Sequence, residues 1–238
     1  MQTSRLAIIG GHSILGSQYA VDGRRVDVAL DGGRVVTALD CDTHVVVQRH
    51  GTDRYTPAHL VRHVDNLCAV RALGCDRVLA LSSVGGLRRD VEVGTFLAPD
   101  DFIALHTSVS SFDDARGHRV PGLDDGWRAR VVDAWASAGV PVALRDGGVY
   151  WQTFGPRFET PAEIRFIAQF ADVVGMTVAS ECVLAAELDL AYAAVCVVDN
   201  LANGVGDANL TIEEFEAGKA ANRAALIAAL DALVPALA

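Results

Sequence analysis

Residues 172–198 read DVVGMTVASECVLAAELDLAYAAVCVV, and this stretch decides the fold class of the chain. Apolar runs of strand length at 172–176 and 191–198 lie on either side of a helical pattern at 180–188. Neither run alternates polar with apolar residues, which is typical of strands that are buried on both faces of a sheet. A strand, a helix and a second strand in this order predict an α/β fold.

The same alternation of strands and helices extends from this stretch toward both ends of the chain. We therefore predict an α/β fold with a largely parallel twisted sheet flanked by helices, in a single domain that spans residues 1–238. The predicted strands cover residues 6–10, 44–49, 77–83, 95–99, 140–144, 149–153, 172–176 and 191–198. The predicted helices cover residues 57–73, 125–137, 161–170, 180–188 and 211–233.

The composition of the chain argues against several classes of protein. Its 238 residues carry a net charge of −10, which disfavours binding to nucleic acid or to an anionic membrane surface. The N-terminal residues lack the features of a signal peptide, and we expect no apolar run of membrane-spanning length. Five scattered cysteines without a CxxC motif indicate neither a zinc site nor a disulfide framework. We expect a cytoplasmic protein with reduced thiols.

Polar groups follow the predicted strands at the points where the strands end. In α/β sheets ligands gather at the carboxyl ends of the strands. Each group taken alone is explained equally well or better by a plain turn or an exposed surface pair. Their convergence at four strand ends instead predicts a phosphate site, because hydroxyl, imidazole and guanidinium groups all donate to phosphate oxygens. These donors are His12 or Ser13, Arg49 with His50, Ser82 and Ser83, and Thr177.

The stretch IIGGHSILG at 8–16 departs from two familiar motifs. Its glycines at 10, 11 and 16 do not fit the GxGxxG fingerprint of a dinucleotide site. Leu15 stands where the GxSxG nucleophile elbow requires glycine. The sequence also lacks a P-loop lysine and an obvious carboxylate cluster for magnesium. These observations predict bound phosphate without a metal ion or a nucleotide cofactor.

Two longer motifs resemble a known family. GPRFETPAEI at 155–164, followed by ADVVGMTVASECVLAAELDLAYAAV at 171–195, is similar to the trimeric purine nucleoside phosphorylase and methylthioadenosine phosphorylase family. The resemblance covers roughly residues 5–235 and includes RHG at 49–51, SSVGGLRRDVEVG at 82–94 and HRVP at 118–121. It implies a single α/β domain with a mixed sheet partly closed into a barrel. It also implies a homotrimer that uses inorganic phosphate to cleave a purine nucleoside into a free base and a sugar 1-phosphate, with no other cofactor.

The resemblance also assigns roles to individual residues. It implies that Met176 lies against the ribose, that Phe158 packs against the base and that Asn200 recognises the base. His118 matches a position that reaches into the neighbouring subunit's site. The predicted catalytic residues are Asn200 and His50, or Asp199 in place of Asn200 if the register moves by one. The implied phosphate-binding residues are His12, Ser13, Arg49, His50, Ser82, Ser83 and Thr177.

Glu159 in GPRFET has two interpretations. A carboxylate only accepts hydrogen bonds, so it matches the N1–H of a 6-oxopurine and repels the N1 acceptor of adenine. On the family resemblance, Glu159 selects hypoxanthine or guanine, while Asn200 donates to O6 or N7 as charge builds on the leaving base. The alternative is that Glu159 stabilises the start of the next helix, where Thr160 and Glu163 form a capping box. The two interpretations of Glu159 are compatible with each other. The separate alternative for Asn200 is an ordinary turn residue before Leu201.

Three departures from the family pattern keep alternatives open. His12 stands where the family usually has Ser or Thr, and weaker phosphate binding there would allow a phosphate-independent nucleosidase. Asp199 as the purine contact would favour adenine, and hence a methylthioadenosine phosphorylase. Phe215 suits a 5′-methylthio group, whereas a 5′-hydroxyl requires a polar partner. Methylthioinosine therefore remains one possible substrate, and inosine or guanosine the other. A nucleoside-binding protein without catalysis is the alternative from another class.

Overall fold

The computed structural model describes residues 4–11, 14, 17–21, 23–140, 142–206 and 210–238. Strands alternate with helices along these residues, so the predicted α/β class is confirmed. The strands are β1 (Leu6–Gly10), β2 (Arg24–Leu30), β3 (Arg34–Asp40), β4 (His44–Gln48), β5 (Arg77–Gly86), β6 (Phe96–Ala98), β7 (Asp101–Ile103), β8 (Leu144–Asp146), β9 (Val149–Gln152), β10 (Val173–Gly175) and β11 (Ala191–Leu201). The helices are α1 (Gln18–Val21), α2 (His63–Ala72), α3 (Asp125–Ser137), α4 (Pro161–Ile167), α5 (Val178–Glu187) and α6 (Ile212–Leu237).

Within the described residues these strands form one mixed sheet, and β5 is its branch point. β5 pairs in parallel with β1 and with β11, and β1 pairs in parallel with β4. The last residues of β5, Gly85 and Gly86, pair antiparallel with β10. The carboxyl end of β10 therefore returns toward the middle of β5. This topology gathers several strand ends at one edge of the sheet.

The core lies on both faces of the sheet, which explains why the strands read as continuous apolar runs. Ala7 and Ile9 of β1 belong to the layer that contains α2 and α5. Leu6 and Ile8 belong to the opposite layer, which contains α3 and α6. Successive side chains of a strand point to opposite faces, so both sets must be apolar when helices cover both sides.

The β2–β3 hairpin is not among the predicted strands. The two strands pair antiparallel from Arg24 opposite Asp40 to Leu30 opposite Arg34. Most residues of β2 are exposed or half-buried, and its sequence RRVDVAL is interrupted by charges. A search for continuous apolar runs therefore passes over this hairpin, because only one face of it meets the core.

Two predicted elements were misplaced. The predicted strand at 140–144 is wrong, since β8 begins only at Leu144. Val140 and Val142 pack against the α3–α6 layer outside any strand, so burial alone accounts for their apolar character. The predicted helix at 57–73 is a 3₁₀ turn at Ala58–Leu60 followed by α2, and the backbone between them is extended at Val61.

Helix α6 corrects the expectation that no apolar run reaches membrane length. It is long and apolar enough to span a membrane by length and composition, with a mean hydropathy of 1.4 in its most apolar window. Nine of its 26 residues are alanine, and charged residues interrupt its first half, so it does not read as one continuous apolar run. In this fold Leu226, Leu230 and Leu233 of α6 are buried in the layer shared with α3, while 33% of its most apolar window is buried, so α6 packs one face onto the core.

Candidate active site

A cavity of about 450 Å³ opens at the carboxyl ends of the strands. Ligands of open α/β sheets bind in this position, and the volume lies in the range of small-molecule sites. Nine predicted site residues line it: Arg49, His50, Ser82, Ser83, Phe158, Glu159, Met176, Thr177 and Asn200. His12 and Ser13 lie outside the described residues. The fold thus brings together residues that are far apart in sequence, while the role of each stays a prediction.

Arg49 is the buried cation of this cavity. Its Nε and Nη2 donate to the two carboxylate oxygens of Glu181, and its Nη1 donates to the carbonyl oxygen of Leu81 over 2.8 Å. Burial by itself lowers the pKa of Arg49, but the adjacent Glu181 carboxylate outweighs it and the pKa is raised. A Cβ at Gly11 would lie 2.7 Å from Nη1, so glycine there lets the backbone after β1 approach the guanidinium. The Arg49 guanidinium is therefore held in a fixed position at the cavity and stays positively charged.

His50 follows Arg49 in the sequence, and one of its ring nitrogens forms a hydrogen bond to the backbone. Its Nδ1 is 2.8 Å from the carbonyl oxygen of Thr56. Because a carbonyl oxygen only accepts, Nδ1 carries a hydrogen and donates it to this oxygen. The ring of Tyr55 stacks on His50 with centroids 5.5 Å apart. These two contacts fix the plane of the imidazole at the cavity wall.

Thr177 reaches the cavity at the turn between β10 and α5. Its backbone N–H donates to the Tyr150 hydroxyl over 3.2 Å, and Tyr150 is completely buried. Among the described residues the Thr177 side chain makes no capping bond to α5, although it holds the N-cap position. The hydroxyl is thus not used to cap the helix, which is consistent with a role in ligand binding.

Glu159 is buried at the other side of the cavity. Thr153 Oγ1 donates to its Oε1 over 2.6 Å, and no other described side chain donates to this carboxylate. The start of α4 is capped without it, because Thr160 and Glu163 form a complete capping box. Glu159 is therefore not needed for the helix cap, and its carboxylate lines the cavity as a hydrogen-bond acceptor.

Asp199 is the extra residue of a β-bulge in β11 and directly precedes Asn200. The register against β5 shifts between Val198 and Asn200, and Asn200 then lines the cavity. Asp199 is not among the described residues of the lining; it accepts hydrogen bonds from Ser83 Oγ and, over 2.8 Å, from Asn222 Nδ2. Burial raises the pKa of Asp199. The bulge thus presents the amide to the cavity and turns the carboxylate toward α6.

The start of α6 forms the remaining, mostly apolar end of the cavity. The Phe215 ring lies 5.8 Å from that of Phe158. A Cβ at residue 218 would lie 1.7 Å from the Asp199 carbonyl oxygen, so Gly218 allows α6 to touch β11. Asn222 Nδ2 also donates to the Val198 carbonyl oxygen over 3.1 Å. Other described residues of this end are Tyr55, Leu210, Ile212 and Glu216.

His118 is not among the described residues that line the cavity. It is exposed and directly follows a 3₁₀ turn at Ala115–Gly117. Its predicted action in a neighbouring subunit's site stays a prediction.

Several residues of the site were missed in the sequence. The sequence assigned no role to Glu181, although this residue lies in the segment 171–195 and one helical turn after Thr177. Thr153 and Tyr192 carry no motif signal, because their partners Glu159 and Glu181 are identified only by the fold. Tyr150 likewise becomes significant only through its bonds at the turn before α5.

Comparison with known proteins identifies the class. Residues 15–235 match the Phosphorylase superfamily, and the chain belongs to this family. It is 37% identical over 214 residues to a probable 6-oxopurine nucleoside phosphorylase of Archaeoglobus fulgidus, which covers 88% of this chain and 87% of that protein. It is 36% identical over 220 residues to a probable S-methyl-5′-thioinosine phosphorylase of Methanosarcina acetivorans, covering 90% of this chain and 83% of that protein.

The fold is shared with solved structures as well. A methylthioadenosine phosphorylase from Schistosoma mansoni in complex with adenine superimposes with a TM-score of 0.82, over 98% of this chain and 91% of that chain. The two sequences are 20% identical, so this likeness shows the fold alone.

Proposed function

We propose that this protein is a phosphorylase of 6-oxopurine nucleosides, which releases hypoxanthine or guanine and forms ribose 1-phosphate or 5-methylthioribose 1-phosphate. The observation that carries the proposal is the Glu159 carboxylate, which lines the cavity although the helix cap does not need it. An acceptor at this place matches the N1–H of a 6-oxopurine and opposes the N1 lone pair of adenine. The names of the two relatives, from Archaeoglobus fulgidus and Methanosarcina acetivorans, support this substrate class.

The phosphate would lie at the opposite side of the cavity. Arg49, His50, Ser82 and Thr177 line this part. Ser83 also lines it, but its hydroxyl already donates to Asp199. Guanidinium and hydroxyl groups donate to phosphate oxygens, and the buried position of Arg49 strengthens these bonds by excluding water. The net charge of the chain is −10, so a local site is required to hold an anion.

In the proposed reaction the C1′–N9 bond of the nucleoside breaks while a phosphate oxygen forms a bond to C1′. The proton of hydrogen phosphate ends on the purine, so the products are the neutral base and the sugar 1-phosphate. Negative charge develops on the base as the bond lengthens, and Asn200 donates to O6 or N7 at that stage. The bound phosphate stabilises the positive charge on the sugar. Catalysis then consists of positioning and electrostatic stabilisation, without a covalent intermediate.

We also propose that the 5′ substituent preferred by this enzyme is a methylthio group. With the base beside Glu159 and the phosphate beside Arg49, the third substituent of the nucleoside points to the start of α6. Leu210, Ile212 and Phe215 line this end. Glu216 is also there, but its carboxylate pairs with Lys219. A hydroxyl placed against the apolar side chains would lose its hydrogen bonds to water.

The variant Phe215→Ser tests this assignment. We expect kcat/KM for methylthioinosine to fall by about 10-fold relative to inosine, because a hydrophobic contact of this size contributes about 1–3 kcal/mol to discrimination. Phe170→Ser is the matched control, since Phe170 is an exposed ring outside the described cavity lining and should leave the ratio unchanged. An unchanged ratio in Phe215→Ser would show that this ring does not face the 5′ group.

The direct test of the proposed function is a comparison of substrates. Base release is measured from inosine, guanosine, adenosine, methylthioinosine and methylthioadenosine, each with and without inorganic phosphate. We expect release to depend on phosphate and to be fastest with 6-oxopurines. Faster release from the adenine nucleosides would assign the protein as a methylthioadenosine phosphorylase, and release without phosphate would assign it as a nucleosidase.

We further propose that the enzyme is a homotrimer in which His118 completes the site of a neighbouring subunit. The exposed position of His118 outside the described lining of its own cavity is compatible with this arrangement. The molecular mass in solution, measured together with the turnover of His118→Ala, tests the assignment. A monomer with full activity would contradict it.

A further inference from the structure

A buried carboxylate on α5 lies behind Arg49 and has no part in the reaction described above. Glu181 is completely buried, and both of its oxygens are used. Oε1 accepts from Arg49 Nε, while Oε2 accepts from Arg49 Nη2 over 2.9 Å and from the Tyr192 hydroxyl over 2.8 Å. Such a fork of two parallel bonds sets the plane and the direction of the guanidinium.

The charge of Glu181 is balanced by Arg49 and by no other described group near it. The side chains of the pair are 1% and 0% exposed. His63 Nδ1 lies 3.8 Å from Glu181 Oε1, but burial lowers the pKa of His63 to about 4, so its ring is neutral at pH 7. A buried charge without a partner is strongly unfavourable, so each member of the pair requires the other.

The pair leaves part of the guanidinium available to the cavity. Arginine has five N–H groups, of which the Nε and one Nη2 hydrogen serve Glu181. One Nη1 hydrogen serves the Leu81 carbonyl oxygen, and Nη1 lies beside the backbone of Gly11. The remaining hydrogens belong to the terminal nitrogens. The guanidinium is thus held on two sides before any anion enters.

We propose that Glu181, supported by Tyr192, is a positioning residue of the phosphate site: it holds Arg49 in the orientation in which the terminal N–H groups face the incoming phosphate. This rests on the proposed function, in which Arg49 binds phosphate. Glu181 does not touch the substrate itself. It acts by fixing a donor in advance, so that phosphate binding does not have to order a mobile arginine.

The test compares Glu181→Gln with Glu187→Gln, which is the same chemical change on the same helix. Glu187 is also buried, but it accepts from the Ser111 backbone N–H and does not line the cavity in the described residues. Initial rates are measured with phosphate varied at saturating nucleoside, and then with nucleoside varied at saturating phosphate. The rise in Tm caused by phosphate is measured for each protein.

For Glu181→Gln we expect the KM for phosphate to rise by about 10- to 100-fold, by analogy with the range found for groups that orient metal ligands. The KM for the nucleoside should change by less than about threefold, and the phosphate-induced rise in Tm should shrink. Glu187→Gln should lower the Tm at most and keep both KM values. A phosphate KM that stays at the wild-type value in Glu181→Gln would overturn the proposal.

Tyr192→Phe keeps the proposal testable if Glu181→Gln does not fold. It removes only the hydroxyl that donates to Glu181 Oε2. We expect a rise of about threefold or more in the KM for phosphate alone, and an unchanged value would count against the positioning role. A wild-type enzyme whose rate is independent of phosphate would instead contradict the proposed function, so the two failures are distinguishable.

Discussion

Replacing Glu159 by Gln is expected to lower kcat/KM for 6-oxopurine nucleosides by about 30- to 100-fold. A hydrogen bond to a charged group contributes about 1.5–3 kcal/mol, and this variant removes the charge. Thr153 Oγ1 donates to one carboxylate oxygen and would retain the amide oxygen of Gln as its acceptor. The NH₂ group would then face the base. It is a donor, and it would oppose the N1–H of hypoxanthine, which is also a donor. Adenine nucleosides, which present an acceptor at N1, should lose much less.

The control for this variant is Glu163→Gln, four residues along the same segment. Glu163 completes the capping box of α4 and pairs with Arg157, which lowers the pKa of its carboxyl to about 2. We expect this control to lower the Tm and to keep the preference between inosine and adenosine. If Glu159→Gln lowers the Tm while its folded form retains the wild-type rate on inosine, Glu159 serves the helix and not the base.

Replacing Asn200 by Asp is expected to shift the ratio of kcat/KM values for inosine and adenosine by about 100-fold toward adenosine. The Asn200 amide supplies donors at the cavity, and one of them serves the Leu201 carbonyl oxygen over 2.9 Å. A carboxylate at 200 no longer donates to O6, whereas it accepts from the 6-amino group of adenine. Leaving a buried polar group without its partner explains why such a site discriminates strongly.

Asp199→Asn is the companion measurement for this shift. Asp199 is bonded to Ser83 and Asn222 and faces away from the cavity, so its replacement should change the inosine to adenosine ratio by less than about threefold. A large shift in Asp199→Asn together with no shift in Asn200→Asp would mean that the acidic residue contacts the purine. The preference for adenine nucleosides would then become the expected activity.

The strand-end donors could be predicted because each one follows directly from a local pattern. An apolar run locates a strand, and the residues after it lie at the strand end, where ligands of α/β sheets bind. Arg49 and Thr177 were found in this way, and the structure places both at one cavity. Ser82 also lines this cavity, but the expectation that it follows a strand is wrong, because β5 continues to Gly86. The hairpin of β2 and β3 escaped prediction because it meets the core on one face only, and its charges interrupt the apolar run.

The contacts that give these donors their properties were beyond sequence reasoning. Arg49 and Glu181 are 132 positions apart, and nothing local to either residue indicates the other. Thr153 and Glu159 are close in sequence, but their bond depends on the path of the chain between β9 and α4. A pairing of this kind depends on how the elements pack, and a single sequence contains no local signal for it.

The sequence by itself determined the α/β class, the capping box of α4 and the positions of Arg49, His50 and Thr177 just after strands. Each of these depends on residues within a few positions of one another, where backbone geometry and hydrophobic periodicity act directly. The tertiary structure decided that Asn200 faces the cavity and that Asp199 does not, because the bulge in β11 exists only through its pairing with β5. It also decided that Glu181 balances the charge of Arg49, because the fold packs α5 against the end of β4. A buried Arg49 without this partner would be strongly unfavourable.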